Sequence, residues 1–311
     1  MKAAQISEYG GAEALQFTTD AAQPPLGKSQ VMVEVHAAAI NPFDFKVREG
    51  MMQSMAALTL PATLGGDFSG VITELGDEVT GFEVGQAVYG QAGALSGNGS
   101  FAEFTPAKAT SIALKPESVD FVTAAAYPLV TVSAYQALVD HIALQAGQKI
   151  LIHGGAGGIG VMAIQLAHHF GAHVTTTSSA ADMEFVKSLG ADEVIDYQTQ
   201  DFATLLSDMD AVYDTVGGET NQKSYGILKA GGTLVSMVIP EDPALLAQHD
   251  IKYTYQFTKV TTERLQEVAK LIDAGDLIIN VDKVFPLEQA GEGLEYLKIN
   301  HPRGKVVIQV Q

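Results

Sequence analysis

The residues best placed to do chemistry in this chain are glycines. Gly155-Ala156-Gly157-Gly158-Ile159-Gly160 has the G-x-G-x-x-G spacing, and each position has a mechanical meaning. Gly155 permits a tight turn, Gly157 lets backbone approach a pyrophosphate, and Gly160 lets a following helix pack closely on the preceding strand. Ala156, Gly158 and Ile159 complete the turn, and the helix N-terminus adds free N–H groups and a positive dipole end. The chain contains 31 glycines, so the spacing alone could be accidental. Its flanks argue otherwise. Residues 149–153 read as a short apolar strand, and Ile159, Ala163, Leu166, Ala167 and Phe170 share one helical face that Gly171 closes. The turn is expected to hold a nicotinamide dinucleotide.

The next strand bears on which one. An NAD site usually ends its second strand on an Asp or Glu that accepts from the ribose 2′-OH. Here the corresponding residues are Thr175-Thr176-Thr177-Ser178-Ser179, uncharged and rich in hydroxyls. Ser178 and Ser179 can accommodate a 2′-phosphate, or cap the following helix, or both. The missing acid predicts NADPH.

Other constellations carry less. Tyr225 and Lys229 have the Tyr-x-x-x-Lys spacing of short-chain dehydrogenases, but they follow the glycines too closely and no serine precedes them at the expected distance. An ordinary helix pair is the expectation. His168 and His169 are adjacent, point to different helix faces and cannot easily chelate together. With no cysteine in the chain, disulfides and thiolate metal sites are excluded. No metal site is expected.

The elements that must position these groups change in texture along the chain. Residues 1–120 read as short strands cut by Gly and Pro, among them 31–36, 70–76 and 85–90, and suggest a β-rich, barrel-like domain. A helical stretch at 121–144, interrupted by Pro128, leads into alternating strands and helices, the pattern of a doubly wound parallel sheet. The last residues hold one helix at 262–274 and a closing strand at 305–310. The chain of 311 residues has room for two domains, and with 47% hydrophobic and 17% charged residues it has a folded composition. Its net charge of -18 disfavours nucleic acid and anionic lipid as partners. No apolar run suits a signal peptide or a membrane span, and a cytoplasmic location is expected.

Ordered along the whole chain are Tyr9-Gly10-Gly11, Ala39-Ile40-Asn41-Pro42-Phe43-Asp44, Pro61-Ala62-Thr63-Leu64-Gly65-Gly66-Asp67-Phe68-Ser69-Gly70, Gly76-Asp77-Glu78-Val79, Gly99-Ser100-Phe101-Ala102-Glu103, Ser133-Ala134-Tyr135-Gln136-Ala137-Leu138, the glycine turn, Leu189-Gly190-Ala191-Asp192 and Gly304-Lys305-Val306-Val307. On these motifs the chain resembles the zinc-independent quinone oxidoreductase (zeta-crystallin-like) branch of the medium-chain dehydrogenase/reductase superfamily. The resemblance implies an α/β protein: a GroES-like β-rich domain from residues 1–120 and 251–311, with a Rossmann NADP(H)-binding domain at 121–250. It places the cofactor in the cleft between them and implies a homodimer. Zinc-dependent relatives carry a Cys near Asn41 and Gly-His-Glu where this chain has Gly65-Gly66-Asp67, so the resemblance also argues against zinc.

Carried over by position, Asn41 is the polar group near nicotinamide and substrate, Asp44 braces its turn, and Ser133 stands beside the nicotinamide. Tyr197 sits where relatives contact the adenosine end. Several relatives place a Lys after the second strand for the 2′-phosphate, whereas this chain has Asp182 nearby. That leaves Ser178, Ser179 and a basic residue of the tail, Arg303 or Lys305. Without a Lewis acid, alcohol oxidation is disfavoured. A quinone, or the β-carbon of an α,β-unsaturated carbonyl, can accept hydride directly if it is aligned and its oxyanion is stabilised. The expected activity is NADPH-dependent reduction of a quinone, enal or enone, with Asn41 as oxyanion donor. Residues 47–57, with Met51, Met52 and Met55, are candidates for an adaptable substrate wall. The competing reading is an NADPH-binding sensor or interaction protein on the same fold, since fold does not fix function.

Overall fold

The computed structural model describes Met1–Gln311, the side chain of Ala94 excepted. The chain divides into two compact units. The first comprises Met1–Leu129, Val260–Gly275 and Ile279–Gln311, and the second Val130–Lys259 with Asp276–Ile278.

In the first unit a seven-stranded sheet is built on the long strand Gln30–Ala39. This strand pairs antiparallel with Asp67–Leu75, with Phe104–Lys108 and with the closing strand Lys305–Gln309. Val31, Val33, Val35 and Ile40 are fully or almost fully buried, joining Phe68, Ile72, Leu294 and Ile308 in one apolar core. The helix Ala290–Asn300, absent from the expectation for the C-terminal segment, lies against it. Gly291 and Gly293 weaken its helical signal. Gly293 is needed there, because a Cβ would come within 2.8 Å of the Ile40 side chain.

The expected domain boundaries shift at both ends. Phe121–Ala126 forms a helix that belongs to the first unit. Ser69 Oγ donates to the Phe121 carbonyl at 2.5 Å, and the Phe121 ring stacks on His36. Pro128 begins a new helix, Pro128–Tyr135, in the position where its missing N–H costs nothing. At the other end Ile251–Tyr255, assigned from sequence to the β-rich domain, is the edge strand of the second unit's sheet. Its exposed and half-buried residues lack the apolar run that marks an interior parallel strand.

The second unit is a six-stranded parallel sheet in the order Glu193–Asp196, His173–Ser178, Lys149–Ile152, Met209–Asp214, Leu228–Ser236, Ile251–Tyr255. The order reverses between Lys149–Ile152 and Met209–Asp214, and such a switch point is where open α/β sheets bind ligands. Among the described residues no helix is long and apolar enough to cross a membrane.

His153 directly follows the strand Lys149–Ile152 and is fully buried. Ser224 Oγ donates to the Thr220 carbonyl, so it accepts from His153 Nε2–H at 3.0 Å. His153 Nδ1 is left to accept from the Thr177 hydroxyl at 3.2 Å. These partners fix a neutral imidazole with its proton on Nε2. Burial pushes the His153 pKa down to about 4, against the attraction of Asp214. A folded-state pKa below the ordinary 6.5 means the unfolded chain takes up the proton first on acidification. Stability present above pH 6.5 is therefore lost as pH falls towards 4. Denaturant midpoints across that window should drop in the native chain and drop less in His153→Gln; parallel curves would show that His153 does not set the acid limit.

Candidate active site and dinucleotide cradle

The glycine turn joins Lys149–Ile152 to the helix Gly158–His169. Gly154 has a φ of +74°, the left-handed conformation that favours glycine. A Cβ on Gly160 would lie 2.2 Å from the Gly154 carbonyl oxygen and 2.7 Å from the Gly155 Cα, so only hydrogen lets the helix start against the turn. A Cβ on Gly157 would meet nothing closer than 3.4 Å, which leaves that backbone open to a ligand. The helix has twelve residues, and the N–H groups of its first turn have no acceptor within the helix. Thr177 pins the turn from the neighbouring strand: its hydroxyl oxygen accepts from Gly154 N at 3.2 Å, and its carbonyl accepts from Gly155 N at 2.9 Å. These features fit a pyrophosphate.

Ser178, Ser179 and Tyr197 share that end of the sheet. Tyr197 is 60% exposed, and its N–H donates to the Ser178 carbonyl at 3.2 Å. Ser178 is buried, and its hydroxyl donates to the Ser179 carbonyl at 3.1 Å. Ser179 Oγ donates to Asp182 Oδ2 at 2.6 Å, so a carboxylate stands beside the hydroxyl expected to meet a 2′-phosphate. Ser133 is buried on Pro128–Tyr135, its hydroxyl 2.7 Å from that of Thr258.

In the first unit, strand register makes a second site. Val307 pairs with Ala39 in an antiparallel ladder, so continuing it brings Lys305 opposite Asn41. Asp67 pairs with Ala39 from the other side. Asn41 then caps the helix Pro42–Arg48, and Asp44 reaches back to accept from Asn41 N at 2.7 Å. Asn41, Asp44, Asp67 and Lys305 are all buried. Lys305 Nζ donates to the Ile40 carbonyl at 2.6 Å and to Asn41 Oδ1 at 2.5 Å, and lies 3.9 Å from Asp67 Oδ2. That same Asp67 oxygen accepts from Asn41 Nδ2 at 2.9 Å and from Leu129 N at 3.3 Å.

This placement corrects the expectation for Lys305. Its ammonium is buried and bonded to the Asn41 amide and the Ile40 carbonyl, both in the first unit. Arg303, its alternative, is exposed on the loop before the last strand. Burial lowers the Lys305 pKa, opposed by attraction to Asp67 and Asp44. Burial raises Asp67, while Lys305 and the Asn41 amide pull it back. Burial takes Asp44 up to about 7, against the bond from Asn41 N. Asp67 itself was visible only as part of a motif, because nothing local showed that Lys305 would face it.

Tyr225 and Lys229 do not form the expected helix pair: Tyr225 lies in the short 3-10 helix Ser224–Ile227, and Lys229 lies on the strand Leu228–Ser236. The Tyr225 hydroxyl donates to Asn221 Oδ1 at 2.6 Å, while Lys229 pairs with Asp210. Among the described residues no group of three or more His, Cys, Asp or Glu could hold a metal ion. Met52 packs on the core, whereas Met51 and Met55 are exposed.

Residues 27–117 match the alcohol dehydrogenase GroES-like domain, and residues 189–308 match the family described as zinc-binding dehydrogenase. The 2-methylene-furan-3-one reductase of Solanum lycopersicum is 35% identical, covering 99% of this chain and 79% of the relative. The NADPH-dependent alkenal/one oxidoreductase of Arabidopsis thaliana is 34% identical with the same coverage of each. Among solved structures, the quinone oxidoreductase of Coxiella burnetii superposes with a TM-score of 0.92 at 35% identity, over 100% of this chain and 99% of that one. The Escherichia coli quinone oxidoreductase complexed with NADPH gives 0.89 at 25% identity over the whole of both chains. The chain belongs to the medium-chain dehydrogenase/reductase superfamily, in its zinc-independent quinone oxidoreductase branch.

The zinc in the matched family's description does not fit these residues. The chain has no thiolate to offer. Asp67 and Asn41 are already bonded to a buried ammonium or to each other, so a dication there would have to displace Lys305. The glycine turn, by contrast, fits a dinucleotide. Gly160→Ala should weaken NADPH binding by about tenfold or more, read by fluorescence titration with folding checked by circular dichroism. Unchanged affinity in a folded variant would remove this turn as the phosphate cradle.

Proposed function

We propose that this protein is an NADPH-dependent reductase of quinones and α,β-unsaturated carbonyls. The observation that carries the reading is the combination, in one chain, of an open glycine cradle with a buried Asn41 amide fixed by charged neighbours. The names of the relatives support the substrate class: a furanone reductase, an alkenal/one oxidoreductase and quinone oxidoreductases. Bound NADPH supplies the hydride. Asn41 donates an amide N–H to the substrate carbonyl oxygen, where negative charge grows as the β-carbon or the quinone ring is reduced. Asp44 holds the Asn41 backbone and so the start of the helix that carries it. The final proton comes from solvent.

NADPH preference rests on the uncharged end of His173–Ser178 and on the NADPH named for the Arabidopsis relative. Asp182 opposes it through its bond to Ser179. Asp182→Asn should raise the ratio of kcat/KM with NADPH to that with NADH by about fivefold to tenfold, as expected for removing one nearby like charge. A ratio that stays fixed would place the 2′-phosphate elsewhere.

Anaerobic stopped-flow mixing of the NADPH complex with 1,4-benzoquinone, and separately with a short enal, tests the reaction. Oxidation by at least one is expected; none by either would favour the sensor or interaction protein. Asn41→Ala should lower kcat by about a hundredfold, the scale of losing one oxyanion donor, with NADPH affinity nearly unchanged. A native rate would take Asn41 out of the mechanism.

A further inference from the structure

A side-chain amide has two orientations of nearly equal shape, one presenting N–H where the other presents C=O. At Asn41 the surroundings choose. The Lys305 ammonium is a donor with no acceptor capacity, and it faces Oδ1 at 2.5 Å. The Asp67 carboxylate faces Nδ2 at 2.9 Å and accepts from it. Rotating the amide by half a turn would set its N–H₂ against the ammonium and its oxygen against the carboxylate, replacing two charge-assisted hydrogen bonds by two repulsions. Neither charge can turn away to solvent, since Lys305 and Asp67 are both buried. Lys305 is also tied to the Ile40 carbonyl at 2.6 Å, and Asp67 to Leu129 N at 3.3 Å. One Nδ2 hydrogen is spent on Asp67, and the second remains for a substrate.

We propose that Lys305 is a positioning residue for the reaction: with Asp67 it locks the Asn41 amide so that an N–H, never the carbonyl, meets the substrate oxygen. The inference deepens the reading of Asn41 as oxyanion donor and rests on it. It gives the buried lysine a purpose that a structural ion pair would not require. A site presenting a carbonyl half the time would repel the growing oxyanion half the time, and hydride transfer would slow without any loss of cofactor affinity.

A double-mutant cycle on kcat with NADPH and 1,4-benzoquinone tests this, using the full-length Asn41→Ala, Lys305→Met and combined variants. NADPH titration and thermal melting serve as folding controls. Lys305→Met should lower kcat by about tenfold to a hundredfold, the usual scale for losing a group that orients a reacting one, with the NADPH Kd almost unchanged. On the Asn41→Ala background the same change should have little further effect, because Lys305 acts through that amide. A native kcat for Lys305→Met beside a slow Asn41→Ala would overturn the inference. So would a combined variant that loses the product of the two single losses, which would mean Lys305 acts independently. If Asn41→Ala alone keeps the native kcat, the donor assignment itself fails, and this inference falls with it. Should Lys305→Met not fold, Lys305→Gln, which keeps polarity and loses the charge, is expected to show the same fall in kcat and the same loss of additivity.

Discussion

A buried ammonium holds the first unit's site together. Lys305 sits among the Ile40 carbonyl, the Asn41 amide and the Asp67 carboxylate, at the place where three strands meet in register. Taking a cation and a carboxylate out of water costs several kcal/mol for each ion, and only good geometry with further hydrogen bonds offsets it. Here the offset comes from backbone as much as from side chains, because the Ile40 carbonyl and Leu129 N each take up part of a charge. The arrangement is therefore poor as a source of net stability and well suited to fixing one orientation of a polar group. Asp44, taken up to about 7 by burial against the bond from Asn41 N, adds a second carboxyl to the cluster.

The second unit solves a different problem with similar means. Its glycine turn must bring bare backbone to a ligand without collapsing. Thr177 holds the turn through both its hydroxyl and its carbonyl, and His153 holds the Thr177 hydroxyl in turn. Neutral His153 is required for that chain of bonds, since a proton on Nδ1 would leave Thr177 without its acceptor there. The polar groups behind the cradle are thus satisfied before any cofactor arrives, and its first-turn amides are left for the phosphates.

Much of this was legible in the sequence because it is local. The glycine spacing, the strand before it, the amphipathic helix after it and the helix Thr262–Ala274 all lie within short windows, where periodicity and caps apply. Asn41 and Asp44 came instead from the resemblance, as a polar group and the brace of its turn, and the structure shows the brace to be a capping box. Lys305 was misread because its meaning is non-local. It meets Asn41 across 264 residues of chain, through a strand pairing that no local pattern encodes. A usable hint did exist, namely a lysine opening the otherwise apolar strand Lys305–Gln309, since a charge within a buried strand needs a partner. The two missed elements have different causes. Gly291 and Gly293 weaken the helical signal of Ala290–Asn300. The edge strand Ile251–Tyr255 lacks the apolar run of an interior parallel strand, although its residues favour β structure.

The central claim is that a protein-borne ammonium and an oriented amide, with no metal ion, organise the chemistry. The most direct measurement is the single-turnover rate of NADPH oxidation by 1,4-benzoquinone in protein stripped with a chelator and shown by mass spectrometry to carry no transition metal. The account predicts the same rate before and after stripping, and no gain when zinc is added. A rate that collapses on stripping and returns with zinc would contradict it.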